Sequence, residues 1–163
     1  TPLKTITPFS VFVGAIPGAI PFMLGWISVT GSLGIESAFL FMIQFFWQFP
    51  HFWAIGWLMH EDYQRAGINM LPTRKRDRAT AFQIILYTLW TLVISASPVL
   101  GLSGTLTLTI PAAILVGIIG LIFLWHCILL YKNQSELNAK KLMIVSIIYI
   151  ISIQWIYVID KFI

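Results

Sequence analysis

The feature that most constrains this chain is a set of five long stretches, 9–29, 37–60, 79–97, 106–131 and 142–159, with no Lys, Arg, Asp or Glu inside them. A helix that crosses a bilayer needs roughly 20 consecutive apolar residues, and each stretch meets that length. The runs are continuous rather than alternating, which excludes the period of two expected of an outer-membrane barrel. Hydrophobic residues make up 58% of the chain and charged residues 10%, so a soluble core of this size could not cover the apolar surface. The expectation is an all-α, polytopic transmembrane helical bundle within the lipid bilayer, read as one domain over residues 1–163.

The charges fix the orientation. With five spans drawn, Lys4, Arg65, Arg74, Lys75, Arg76, Arg78, Lys132, Lys140 and Lys141 fall on one side, and Lys161 alone on the other. The positive-inside rule places the first group in the cytoplasm, or in the matrix of an organelle; the expectation is a bacterial plasma (inner) membrane with loops 61–78 and 132–141 cytoplasmic. The net charge of +4 then follows from topology, and no nucleic-acid partner is expected. The outer connections, 30–36 and 98–105, read as tight hairpin turns. The single cysteine, Cys127, has no partner for a disulfide and reads as a packing residue. Gly14, Gly18, Pro17 and Pro21 in the first span suit either close helix packing or a bent helix lining a chamber. Because the chain opens on Thr1, it is expected to be a piece whose N-terminal portion lies elsewhere.

The second span is the informative one. At about 100° per residue, Gln44 and Asp62 stand about five whole turns apart, with Gln48 and His51 within about 40° of them. On an unbroken helix these four share one face, with Trp47 beside them, and Asp62 rather than Glu61 looks where the stripe looks. Polar groups at membrane depth normally face a bundle interior or a water-filled cavity, so a chamber with a charged mouth and an aromatic body is expected. Pro50 is expected to kink the helix. Two readings of His51 stay open: it serves a substrate, or it only hydrogen-bonds a neighbouring helix. Asp62, followed by the basic cluster Arg74, Lys75 and Arg76, suits a magnesium diphosphate, the carboxylate holding the hard cation and the bases neutralising phosphate. A plain basic anchor at the membrane face is the alternative. Asp77 and Glu136, amid bases, are given no role.

The runs Trp47-Gln-Phe-Pro-His-Phe-Trp53 and Asp62-Tyr-Gln-Arg-Ala-Gly-Ile-Asn-Met-Leu-Pro72 resemble the second-half signatures of the heme O synthases, within the UbiA-like intramembrane prenyltransferase superfamily. Pro2-Leu-Lys4, Gly14-Ala-Ile-Pro-Gly-Ala-Ile-Pro21 and Gly25-Trp26 resemble the segment that precedes them. The resemblance implies a nine-helix bundle of which this chain holds the last five helices. It also implies an Mg2+-dependent transfer of farnesyl from farnesyl diphosphate to a vinyl group of protoheme IX, with heme A synthase or oxidase assembly proteins as partners. In that frame Asp62 binds the metal and acts in catalysis with Arg65. Arg74, Lys75 and Tyr63 hold diphosphate, and His51, Gln48, Gln44 and Trp47 contact substrate. The superfamily's second Asp, four residues from the first, is absent, since Leu58 and Ala66 occupy those places. The metal would then depend on the first acidic motif, outside this chain, and the piece alone is expected to be inactive.

Three rivals are open on sequence: prenylation of a quinone precursor, and, from other classes, a transporter or a heme-binding subunit with His51 and His126 as axial ligands. Their depths differ by about 6 Å at 1.5 Å per residue, awkward for one iron.

Overall fold

The computed structural model describes residues 2–163. Five long helices, α2 (Ser10–Thr30), α3 (Ile35–Leu58), α5 (Arg78–Ala96), α6 (Ile110–Asn133) and α7 (Glu136–Asp160), are joined by two short ones, α1 (Pro2–Ile6) and α4 (His60–Arg65). No strand occurs among the described residues, so the expected polytopic helical bundle is the architecture found. Helices α2, α6 and α7, and α5 with the 3₁₀ turn Ser97–Leu100 that extends it, are long and apolar enough to cross a membrane. Helix α3 is 24 residues long but less apolar, and the packing explains why. It is the central helix, set against α2, α5 and α7, while α6 closes the ring against α5 and α7. A helix covered by protein can carry amides and a histidine that a lipid-facing helix cannot.

The outer faces of the bundle are apolar, with Trp90, Trp125, Trp155, Leu121 and Ile148 exposed on them. Inside, helices approach through small residues, as expected where lipid removes the usual hydrophobic drive. A Cβ on Gly18 would overlap Gln48 Oε1, whereas one on Gly14 meets nothing within 4 Å. Of the two glycines, only Gly18 makes a close approach. Cys127 is buried, with its Sγ 3.2 Å from Thr88 Oγ1, a packing residue as expected.

The two ends of the bundle sort the polar segments. At one end, Asn69 N–H donates to the Lys4 carbonyl (2.8 Å) and Arg76 pairs with Glu136 (2.7 Å), joining α1, the 66–77 segment and the start of α7. At the other, Glu36 Oε1 accepts from Thr105 N–H and Oγ1–H (both 2.9 Å), and Asp160 accepts from Thr109 N–H (2.9 Å). The basic loops therefore do share one end.

Several boundaries differ from the apolar windows. Helix α7 begins at Glu136 rather than 142, because Ser135 caps it by accepting from Asn138 N–H. The expected loop 132–141 is thus a turn at Gln134, left-handed at φ 49°, and Ser135, with Lys140 and Lys141 inside α7. Helix α6 starts at Ile110 instead of 106, with Thr109 as its cap and Pro111 in its first turn. The outer connection is no tight hairpin at 98–105, since the Ser97–Leu100 turn continues in non-helical chain to Thr109.

Candidate functional site

Helix α3 runs through Pro50 and ends at Leu58; the break comes at Met59 (φ −94°, ψ 18°), after which α4 sets off. Met59 is neither Gly nor Pro, and the cause is tertiary. Helix ends leave carbonyls without intrahelical donors, and Arg76 Nη2 donates to the Leu58 carbonyl (3.3 Å) while its Nη1 pairs with Glu136. This break corrects the single polar face. Asp62 lies beyond it, so it does not continue the register of Gln44, Gln48 and His51. Nor is Asp62 distinguished from Glu61: both are exposed and both reach Arg65, at 3.4 Å and 3.9 Å.

The stripe itself divides between neighbours. Gln48 Nε2–H donates to the Ala15 carbonyl of α2 (3.0 Å), and Gln48 and Gln44 are buried. His51 turns instead to α7, its Nδ1 2.8 Å from Ser146 Oγ. Trp47 makes the same choice, donating its indole N–H to the Ser146 carbonyl (2.7 Å) and stacking on the His51 ring at 4.8 Å and 15°. Helical spacing explains the stacking, since residues four apart sit one above the other. Ser146 lies 95 residues from His51, and no sequence pattern pointed to it.

Beyond α4 the loop is fastened to the N-terminal segment. Asn69 Nδ2 donates to the Thr5 carbonyl (3.3 Å) and Arg74 Nη2 to the Ile6 carbonyl (3.2 Å). Arg74 adopts a left-handed backbone, φ 61°, unusual for a residue with a Cβ and concentrated where function or tight packing demands it. Tyr63 and Arg74 line one small polar cleft with His60, Gln64 and Asn69, so these two expected phosphate partners are brought together. Lys75 stands beside Asp77, and Asp77 does have a role, as the cap of α5. It accepts from Thr80 N–H (2.8 Å) and Thr73 Oγ1–H (2.9 Å). Burial alone would raise its pKa, but those hydrogen bonds and the Lys75 charge outweigh burial and lower it. His60 is also lowered, by burial first and then by Arg76, with Glu61 opposing.

Cavities open along α3, one of about 400 Å³ lined by Phe49 and Trp53 with Phe9, Phe12 and Tyr87, and two nearer its ends. Toward the loop end, Lys4, Ser10, Gly14, Phe52 and Met70 enclose about 180 Å³; toward the other end, Pro21, Trp26, Ile43, Ile153 and Tyr157 help enclose about 690 Å³. None of Gln44, Gln48 and His51 lines the largest of these cavities, so it is not the chamber expected along the polar stripe. His126 offers no second axial position beside His51: it sits on α6 and its Nδ1 engages the Ile122 carbonyl of its own helix (2.9 Å). Among the described residues no group of three or more His, Cys, Asp or Glu could hold a metal ion by itself. One exposed carboxylate still fits Mg2+, which is commonly held by one or two carboxylates together with substrate phosphates.

The profile of the UbiA prenyltransferase family matches residues 1–151. Among curated proteins, the chain is similar to the protoheme IX farnesyltransferases of Christiangramia forsetii (59% identical over 163 residues) and Flavobacterium psychrophilum (59% over 162). It is also similar to that of Cytophaga hutchinsonii (46% over 163). The alignments cover 99–100% of this chain but 54–55% of those proteins, so the chain spans about half the length of the curated relatives it matches. No solved structure matches.

Proposed function

The chain belongs to the UbiA prenyltransferase family, and from that premise we propose that its protein farnesylates protoheme IX to give heme O. In this reading the chain is the C-terminal half of an integral membrane enzyme of the bacterial inner membrane, with the 61–78 loop cytoplasmic. The observation that carries it is the arrangement along one helix and its continuation. Trp47 and His51 are held rigidly within the span, and the break at Met59 leads directly to Asp62, Tyr63, Arg65 and Arg74 at the basic end. A flat aromatic acceptor and a charged diphosphate need such different surroundings within reach of one another.

The allylic C–O bond of farnesyl diphosphate breaks, and the diphosphate leaves with the electron pair. The carbon then bonds to the terminal vinyl carbon of protoheme, and water captures the resulting cation and loses a proton. Arg65, Arg74 and Lys75 stabilise the leaving group by charge, with Tyr63 as a hydrogen-bond donor. Asp62 would hold Mg2+ together with the phosphates and an acidic motif outside this chain; when bound, the ion neutralises the departing diphosphate. Gln44 and Gln48 brace the helix that bears Trp47 and His51, and the buried aromatic residues of α3 shield the cation from water. The half alone should be inactive.

The test is expression of the full-length protein in a bacterial strain that lacks heme O, with pigments separated by chromatography. Heme O should appear, and Asp62→Ala should reduce it at least a hundredfold while the protein remains in the membrane. Undiminished heme O in Asp62→Ala would remove Asp62 from the mechanism; no heme O from well-expressed protein would remove the acceptor.

A further inference from the structure

Helices α2 and α7 both rest on α3, and the 690 Å³ cavity is a groove between them. Its walls are apolar: Pro21, Gly25 and Trp26 of α2, Ile43 of α3, and Ile150 and Ile153 of α7. On α3 the groove comes no nearer the basic end than Ile43, 15 residues before Leu58, or about 22 Å along the axis. An extended farnesyl chain spans about 14 Å, at about 1.3 Å along the chain for each carbon–carbon bond. A diphosphate held at Asp62 therefore cannot lay its prenyl tail in this groove.

The polar groups of the groove stand in order along α7. Gln154 and Lys161 both line it. Seven residues apart, they are about two turns distant and within about 20° of one face, and Lys161 keeps helical backbone angles (φ −74°, ψ −22°). Among the described residues, neither the Gln154 amide nor the Lys161 ammonium has a hydrogen-bond or ion-pair partner. The adjacent carboxylate, Asp160, is engaged by Thr109. Lys161 is also the lone basic residue at this end of the bundle. Trp26, on the opposite wall, is the residue type that settles at the headgroup boundary of a bilayer.

We propose that this groove holds an anionic phospholipid of the leaflet opposite the basic loops. Its phosphate pairs with Lys161, an ester carbonyl accepts from the Gln154 amide, and an acyl chain lies between α2 and α7 as far as Ile43. Charge selects the headgroup, because a zwitterionic lipid would bring its own cation beside the Lys161 ammonium. A helix packed into the groove would instead have to cover that ammonium, which is costly at membrane depth without a partner. The site does not depend on which acceptor is prenylated.

Full-length protein, stripped of lipid in detergent, is titrated with phosphatidylglycerol or phosphatidylcholine of matched chains, and bound lipids are counted by native mass spectrometry. Lys161→Gln should weaken one phosphatidylglycerol by about fivefold, the effect of one lysine at a membrane surface, and leave phosphatidylcholine unchanged. Lys161→Arg should match the wild type, and Lys140→Gln, at the basic end, should leave this site intact. A Cβ on Gly25 meets nothing within 4 Å, so Gly25→Leu should fold, checked by thermal unfolding, and lose the bound lipid by filling the groove. Equal phosphatidylglycerol binding in the wild type and Lys161→Gln overturns the proposal, as does a wild type that holds phosphatidylcholine as tightly. Undiminished lipid in Gly25→Leu places the lipid elsewhere and overturns the groove. A Gly25→Leu protein that no longer folds shows that another part of the protein fills the groove, and overturns the lipid as occupant.

Discussion

Replacing Arg76 should destabilise the bundle more than replacing its ion-pair partner, because Arg76 makes two connections and Glu136 only one of them. The Arg76 side chain is 22% exposed and Glu136 63% exposed. A pair so open to solvent contributes at most about 1 kcal/mol. The second contact is a hydrogen bond from a charged donor to the Leu58 carbonyl at 3.3 Å, and such bonds contribute about 1.5–3 kcal/mol when well formed. The length favours the lower end. Arg76→Ala should therefore cost about 2 kcal/mol, a roughly thirtyfold shift in the unfolding equilibrium. Glu136→Ala should cost about 1 kcal/mol or less, and the double variant no more than Arg76→Ala alone. Unfolding of the full-length protein in mixed micelles, followed by circular dichroism, gives the three numbers. Hydrogen exchange should also quicken in α4, whose junction with α3 Arg76 holds. Equal losses in the two single variants, or an Arg76→Ala loss below about 0.5 kcal/mol, would refute this account of the break at Met59.

Gly18→Ala should destabilise by about 1–3 kcal/mol, since its Cβ would overlap Gln48 Oε1, while Gly14→Ala, with open space, should be close to neutral in thermal unfolding. Asp77→Ala removes the cap of α5 and should cost about 1 kcal/mol. Because the folded pKa of Asp77 is lowered, its contribution is complete above the ordinary carboxylate pKa, about 4, and is lost as pH falls through the lowered value. Asp77→Asn should flatten that acid limb of a stability profile. His60 is lowered in the folded state, so stability should fall as pH drops below about 6.5, and His60→Gln should remove that slope. Glu36→Ala frees Thr105, and hydrogen exchange in the 101–109 segment should rise with little change in α3 beyond its first turn.

The spans were legible because apolar length is a strong local signal. Their edges were less so: α7 starts six residues before its apolar run, at a Ser135 cap that a search for start signals can find, as it can Thr109 and Pro111 before α6. The break at Met59 was not legible. Nothing at residue 59 stops a helix, and Arg76, the residue that takes the Leu58 carbonyl, lies in a loop whose position depends on the fold. For the same reason the helical register of Gln44, Gln48 and His51 holds only as far as the helix lasts, and extending it to Asp62 is not possible from the sequence. His51 was visible as an ionisable group at membrane depth, but the choice between α2 and α7 as neighbour needs packing, so Ser146 could not be named. Gln48, one turn away, went to the other neighbour.

The reaction itself is tested most directly by presenting isotopically labelled farnesyl diphosphate and Mg2+ to purified full-length protein in lipid, with protoheme IX and a phenolic quinone precursor supplied together. The account requires label to enter heme O, with water oxygen in its new hydroxyl group and little label in the phenol. Label transferred to the phenol, with protoheme unchanged, would contradict it.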